Sequence, residues 1–139
     1  MDKVVVDTSV MVKWLTTENE NYVEQGDLIL QDAKTGKINI LAPELSKYEL
    51  GNAILNKKMA LPLALDALGT ASTMPITFVS ETRELSFTTY QIAESAGITY
   101  YDASFMALAK QEKATLVTDN PKHQRKIQGI KVIALKNYR

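Results

Sequence analysis

The stretch "KVVVDTSVMVKW" (residues 3–14) joins a strand-like run to a helical one. Its three valines are typical of a short strand that is covered on both faces of a parallel sheet. The apolar residues that follow Ser9 predict one or two helical turns. Asp7 lies between these two elements, with the hydroxyl side chains of Thr8 and Ser9 directly after it. The placement of Asp7 raises the question of which other acidic residues it meets in the folded chain.

Strand-like and helix-like segments alternate along the rest of the chain. The predicted strands after "KVVV" are "INIL", "ITFV", "TLVT" and "KVIAL". Helices are predicted over residues 10–15, 23–35, 43–58, 60–71, 82–96 and 102–113, with Pro43 in the first turn of the third of them. Alternating strands and helices predict a parallel sheet flanked by helices, an α/β fold in one domain over residues 1–139.

The composition is that of an ordinary globular domain. The chain has 139 residues, of which 45% are hydrophobic and 23% are charged, and it is long enough to bury a real core. It has no cysteine and one histidine, so thiolate chemistry, disulfides and paired catalytic histidines are excluded. No signal peptide or membrane-spanning run is visible. We therefore expect a cytoplasmic protein with no membrane partner.

Positive charge is concentrated at the end of the chain, although the formal net charge is zero. From Asn120 onward there are six basic residues and no acid: Lys122, Arg125, Lys126, Lys131, Lys136 and Arg139. Such a patch is typical of a contact with an anionic partner. On charge alone, the alternative that these residues only decorate a terminal helix and strand is equally good.

Two aspartates follow predicted strands. Asp7 comes directly after "KVVV", and Asp119 comes directly after "TLVT". In open α/β sheets, ligands bind beyond the carboxyl ends of the strands, where the strand order reverses. Each aspartate taken alone is also explained as a helix cap, whose side-chain oxygen accepts a backbone N–H.

Two further acids lie on otherwise apolar helical faces. Glu49 shares a stripe with Leu45 and Ala53, and Asp102 precedes a face that includes Phe105. Glu49 can also be a rim residue, and Asp102 can be a first-turn acid that suits the helix dipole. Taken together, acids from four different elements would repel one another. A divalent cation such as Mg²⁺ or Mn²⁺ removes that conflict, since it prefers oxygen ligands.

The segments "VVVDTS", "APELSKYELGNAI", "ITYYDASFMALA" and "TLVTDN" together resemble the PIN-domain nucleases, most closely the small VapC-type toxins of toxin–antitoxin pairs. The resemblance covers essentially the whole chain in the right order. It implies a three-layer fold, with a central, mainly parallel sheet and helices on both faces. It also implies Mg²⁺- or Mn²⁺-dependent endonucleolytic cleavage of RNA, a homodimer, and a cognate antitoxin protein as partner.

By this resemblance, Asp7, Glu49 and Asp102 match three acids of the family's metal site. The fourth position departs from the common pattern, since Asp119 precedes Asn120 where many relatives carry a single aspartate two residues after a threonine. Either Asp119 supplies the carboxylate, or Asn120 takes the ligand position and Asp119 supports it. The charge of Asp119 favours the first alternative, which gives four catalytic, metal-binding acids.

The remaining residues follow from the same resemblance. Ser9, Thr118 and Asn120 are expected to support the ligands through hydrogen bonds. Four residues after the last acid are expected to contact the RNA backbone: Lys122, His123, Arg125 and Lys126. The alternative is a catalytically inactive PIN-like domain that binds RNA or a protein partner. A toxin and a PIN protein with a housekeeping role are equally compatible with the sequence.

Overall fold

The computed structural model describes residues 2–121, 127 and 129–139. This part of the chain forms five strands, β1 (Asp2–Val6), β2 (Ile38–Pro43), β3 (Ile76–Val79), β4 (Thr115–Thr118) and β5 (Val132–Ala134). It also forms six α-helices, α1 (Thr8–Met11), α2 (Val23–Lys34), α3 (Ser46–Asn56), α4 (Leu61–Ala71), α5 (Arg83–Ala96) and α6 (Tyr100–Glu112). Short 3₁₀ turns cover Val12–Trp14 and Leu135–Asn137.

All five strands belong to one parallel sheet. Their order is β3-β2-β1-β4-β5, so β1 is the central strand, with β2 on one side and β4 on the other. The chain order therefore reverses at β1, and Val6 at its end lies in register with Val117 of β4. The carboxyl ends of β1 and β4 meet at the place where open α/β sheets form their sites.

Both faces of the sheet are covered by helices. Successive side chains of a strand point to opposite faces, yet Val4, Val5 and Val6 are all buried. On the sheet, α6 contacts β1, β2 and β4, and α5 packs against α6. Residues 103–109 of α6 are all buried, so this helix belongs to the core along most of its length. The predicted α/β fold with a parallel sheet and helices on both faces is confirmed.

One predicted boundary is wrong. Pro43 is the last residue of β2 and not part of a helix, which begins three residues later at Ser46. The strand continues because Pro43 pairs in register with Val79 of β3, and the Glu44 N–H donates to the Val79 carbonyl at 2.9 Å. Sheet pairing therefore outweighs the preference of proline for a first helical turn.

The predicted end of α5 at Gly97 is confirmed. Gly97 adopts a φ of +66°, a left-handed conformation that glycine reaches without steric cost. In the described part of the chain, none of the helices has the length and apolar character needed to span a membrane.

Candidate active site

Asp7 follows β1 and is 9% exposed. It occupies the position before α1, but its side chain forms no capping hydrogen bond with that helix. The main-chain carbonyl of Asp7 instead accepts from the N–H groups of Val10 and Met11, at 3.1 and 3.2 Å. The Asp7 carboxylate accepts a hydrogen bond from the Ser9 hydroxyl. The capping interpretation of Asp7 is therefore wrong, and its carboxylate is held at the sheet edge.

Glu49 is half-buried on α3, opposite the start of α1. Its Oε1 accepts a hydrogen bond from the Thr8 hydroxyl at 3.2 Å. Burial raises the pKa of the Glu49 carboxyl above its ordinary value, and the negative charges of Asp102 and Asp7 raise it further. The Thr8 hydrogen bond opposes this increase but does not cancel it. The negative charges of Asp7 and Asp102 therefore act on the Glu49 carboxyl, although the three acids come from different parts of the chain.

Asp102 lies in the first turn of α6 with its side chain exposed. The residue that caps this helix is Thr99, whose hydroxyl accepts from the Asp102 N–H at 3.1 Å. The Asp102 carboxylate is therefore not the cap, although a negative charge in the first turn still suits the helix dipole. Helix α6, whose residues 103–109 are all buried, fixes the position from which this carboxylate reaches the sheet edge.

These side chains share one cleft of about 220 Å³, which we call the acidic cleft. It is lined by Asp7, Thr8, Ser9, Glu49, Asp102, Phe105, Thr118 and Asn120. Three of the four predicted acids and all three predicted supporting residues are therefore brought together. Within the described residues, neither Glu49 nor Asp102 forms an ion pair.

Asp119 does not line the acidic cleft. Its carboxylate lies 3.1 Å from the Lys13 ammonium group, and its N–H donates to the Ser9 hydroxyl at 3.1 Å. The next residue, Asn120, does line the cleft, and its N–H donates to the Thr118 hydroxyl at 3.1 Å. Of the two alternatives for the fourth position, this arrangement favours Asn120, with Asp119 beside it.

Lys13 and Glu20 were not among the predicted site residues. The Lys13 side chain is only 1% exposed and lies 2.8 Å from a Glu20 oxygen. Burial lowers the pKa of Lys13, but Glu20 and Asp119 outweigh it, and the pKa stays above its ordinary value. The available signal was the single charge in the apolar run "VMVKWL", since lysine is almost never fully buried unless it is paired.

The four predicted RNA-binding residues lie outside the described residues. They are Lys122, His123, Arg125 and Lys126. Their role therefore stays a prediction that rests on the sequence.

The donors of the acidic cleft suit a hard divalent cation. They are carboxylate oxygens together with the amide oxygen of Asn120, and Mg²⁺ and Mn²⁺ prefer such ligands. Within the described residues, no group of three acidic or histidine side chains is close enough together to hold a metal ion as it stands. Mg²⁺ usually binds through one or two carboxylates and keeps several waters. The oxygen donors that line the acidic cleft therefore suit a Mg²⁺ site. Burial is the main reason why the pKa of Glu49 is raised, and the negative charges of Asp102 and Asp7, which a cation offsets, add to it.

Comparison with known proteins agrees with this fold. VapBC2 from Rickettsia felis, solved with a promoter DNA fragment, has a TM-score of 0.72 and 17% identity, over 95% of this chain and 98% of that chain. DNA-bound VapBC from Salmonella typhimurium has a TM-score of 0.67 and 17% identity, over 97% and 99% of the two chains. VapC20 from Mycobacterium tuberculosis, a toxin that cleaves the sarcin–ricin loop, has a TM-score of 0.66 and 12% identity, over 88% and 94%.

At these identities the solved structures establish a shared fold. Among curated protein sequences, none matches this chain significantly. The family model of the PIN domain matches residues 4–129, which include the last three residues of β1, the whole acidic cleft and β4. The match spans most of the chain, and the chain therefore belongs to the PIN domain family.

Proposed function

We propose that this chain is a metal-dependent endoribonuclease of the VapC type, the toxin of a toxin–antitoxin pair. The observation that carries the proposal is the meeting of Asp7, Glu49 and Asp102 in one cleft at the carboxyl edge of the sheet. Each acid comes from a different element, and their charges act on one another. Membership of the PIN family and the structural likeness to VapC chains support the same function.

Asp7, Glu49 and Asp102 would hold Mg²⁺ or Mn²⁺, with Asn120 at the fourth position and Asp119 as the alternative to it. When bound, the cation would activate a water for attack on an RNA phosphodiester and offset the charge that grows on the phosphoryl oxygens. The oxygen donors of the cleft suit this role because they carry negative charge without a cationic side chain paired to Glu49 or Asp102 in the described structure.

The chain's own hydroxyl groups orient these donors. Ser9 donates to the Asp7 carboxylate and accepts from the Asp119 N–H, so it links the ends of β1 and β4. Thr8 donates to Glu49 and limits the rotation of its carboxylate. Phe105 gives the cleft one apolar wall, which strengthens the electrostatic interactions beside it. We propose that Lys122, His123, Arg125 and Lys126 attract the RNA backbone.

The proposed partners are RNA, a cognate antitoxin protein and a second copy of the chain. Several solved proteins of similar fold are toxin–antitoxin complexes, for example the complex from Klebsiella pneumoniae. This similarity supports an antitoxin partner, and we propose that the two proteins meet in the cytoplasm. Exposed apolar side chains on α3 and α4 also favour protein contacts. They are Tyr48, Leu55, Leu61, Leu63, Leu65 and Leu68.

Metal dependence is the first test of the proposed function. Purified protein, separated from any antitoxin, is incubated with a labelled, structured RNA pool in Mg²⁺, in Mn²⁺ and in EDTA. We expect cleavage with either metal and none in EDTA, because the acids need a cation to act on a phosphodiester. Folded protein that binds the pool but cuts it in neither metal would favour the alternative, a catalytically inactive PIN-like domain.

Glu49 gives a prediction about pH in the metal-free protein. Its pKa is raised in the folded state above the ordinary value of 4.5, so the folded state binds more protons than the unfolded state between those two values. The free energy of unfolding of the wild type therefore falls as the pH rises through that window. We expect Glu49→Gln to be more stable than the wild type at pH 7, and the difference to vanish below pH 4.5.

This expectation is checked by urea unfolding at a series of pH values. Added Mg²⁺ provides the matched control, because a cation that binds the folded state stabilises it by mass action. The wild type should gain more stability from Mg²⁺ than Glu49→Gln does. Equal stability of the two proteins at pH 7 without metal would contradict the raised pKa of Glu49 in the folded state.

A further inference from the structure

We infer that Lys13 is a positioning residue of the acidic cleft, which anchors Asp119 outside the cleft and so fixes the segment that presents Thr118 and Asn120 to it. The inference rests on the proposed function, which gives the cleft its chemistry. Nothing in the acidic motifs assigns a role to Lys13, and its side chain does not line the cleft.

The Lys13 ammonium group is enclosed and doubly paired. It lies 2.8 Å from a Glu20 oxygen and 3.1 Å from an Asp119 oxygen, and the Lys13 side chain is 1% exposed. Glu20 and Asp119 are more accessible, with side chains 12% and 29% exposed. A buried charge must keep its partners, since an uncompensated charge away from water is strongly unfavourable. Lys13 therefore restrains the Asp119 carboxylate at a defined place.

Glu20 extends this contact to the helix that carries Glu49. It accepts a second hydrogen bond from Lys57, the residue that follows α3, and Lys57 also donates to the Glu18 carbonyl at 2.8 Å. We call Lys13, Glu20, Lys57 and Asp119 the Lys13 network. The Lys13 network contains two positive and two negative side chains, so its net charge is zero. It joins the ends of α3 and β4 through the 3₁₀ turn after α1.

Asp119 is held at both its side chain and its backbone. Its carboxylate pairs with Lys13, while its N–H donates to the Ser9 hydroxyl, which in turn donates to Asp7. The residues on either side, Thr118 and Asn120, both line the acidic cleft. The chain bends at Asp119, and Asp119 itself does not line the cleft that both its neighbours line. Anchoring Asp119 on one side therefore directs Asn120 to the other side, into the cleft.

Two neighbouring carboxylates keep Lys13 positive although burial opposes its charge. The pKa of Lys13 is raised despite the opposing effect of burial, because Glu20 and Asp119 both favour the ammonium form. Burial raises the pKa of Glu20, but the contacts with Lys13 and Lys57 outweigh it and hold this pKa below its ordinary value. The anchor is therefore an ion pair at neutral pH.

The test compares Lys13→Met, Asp119→Asn and the double variant with the wild type. RNA cleavage is measured under saturating Mn²⁺, and Mn²⁺ affinity is measured separately by calorimetry without RNA. We expect each single variant to lower kcat about 10–100-fold, the usual effect of removing a residue that orients a metal site, with KM for RNA little changed. Mn²⁺ affinity should fall in both. The double variant should lose no more than either single variant, because both break the same contact.

Lys3→Met is the matched control. Lys3 lies on β1 and is 3.1 Å from Glu112, the same separation as between Lys13 and Asp119, but its side chain is 46% exposed. Its ion pair lies on the surface, away from the acidic cleft, so we expect kcat and Mn²⁺ affinity to stay at the wild-type values. If Lys13→Met fails to fold, Asp119→Asn carries the test, because Lys13 then keeps Glu20 as its partner.

Two results would overturn the inference. In the first, Lys13→Met and Asp119→Asn match Lys3→Met in both kcat and Mn²⁺ affinity. In the second, Asp119→Asn abolishes Mn²⁺ binding while Lys13→Met leaves it intact, which would make Asp119 a ligand in its own right. Failure of the proposed function is distinct, because the wild type itself would then show no metal-dependent cleavage.

Discussion

We expect Asp7→Asn to lower kcat for the proposed metal-dependent RNA cleavage by more than about 100-fold, because the loss of a residue that only orients a metal ligand already costs about 10–100-fold. Asp7 lies at the end of the central strand, and its carboxylate is held by the Ser9 hydroxyl. The amide keeps the size of the side chain and an oxygen that accepts from Ser9, so the change removes mainly the negative charge. The rate of cleavage of labelled RNA in Mg²⁺ and in Mn²⁺ measures the loss.

Asp27→Asn is the control for this prediction. Asp27 lies exposed on α2 and takes no part in the acidic cleft, so the same substitution should leave kcat unchanged. The Asp7→Asn protein should also retain the circular dichroism spectrum and melting behaviour of a folded chain. Wild-type cleavage by folded Asp7→Asn would refute the proposed metal site.

Leu108→Ala is the prediction with the largest effect on stability. Leu108 is 0% exposed and lies in the stretch of α6 that is buried on every side. Truncation of a buried leucine removes apolar contacts and leaves a cavity, which costs about 2–5 kcal/mol of unfolding free energy. That loss is a large share of the roughly 5–15 kcal/mol that keeps a domain folded. Urea unfolding followed by circular dichroism measures it.

Leu55→Ala is the matched substitution at the surface. Leu55 lies on α3 and the residue is 73% exposed, so the same truncation in the monomeric chain should change the unfolding free energy by no more than about 0.5 kcal/mol. Similar losses for the two variants would mean that α6 is not packed as the structure describes.

The fold was largely predictable because its strands are short apolar runs in a regular alternation with helices. "KVVV", "ITFV" and "TLVT" became strands of the parallel sheet, and Gly97 ended α5. The boundary at Pro43 was wrong because the pairing with β3 depends on a neighbour far along the chain. The order of the strands is a property of tertiary packing, and no local pattern in the sequence specified it.

The acidic cleft was predictable to the extent that its residues break local patterns. Asp7 separates two apolar segments, and Glu49 lies on an apolar helical stripe, so both were recognisable as candidate site residues. The sequence left open whether Asp119 or Asn120 faces the cleft. A shift of one residue in strand register exchanges the directions in which two adjacent side chains point. Lys13 pairs with Asp119 and so holds it outside the cleft. This pairing joins two residues far apart in the chain, and no periodic pattern in the sequence connects them.

The position of β1 at the centre of the sheet has a consequence for the order in which the protein forms. A nascent chain emerges from its N-terminus, yet β1 pairs with β4, which begins only at Thr115. Until β4 has been synthesised, the central strand β1 lacks one of its two neighbouring strands, and the end of β4 is not yet present beside Asp7. The chain from Asp7 to Asn120 must therefore exist before the cleft can form, and long-range closure of this kind slows folding. The proposed nuclease site is therefore complete only after residues 1–120 have been synthesised.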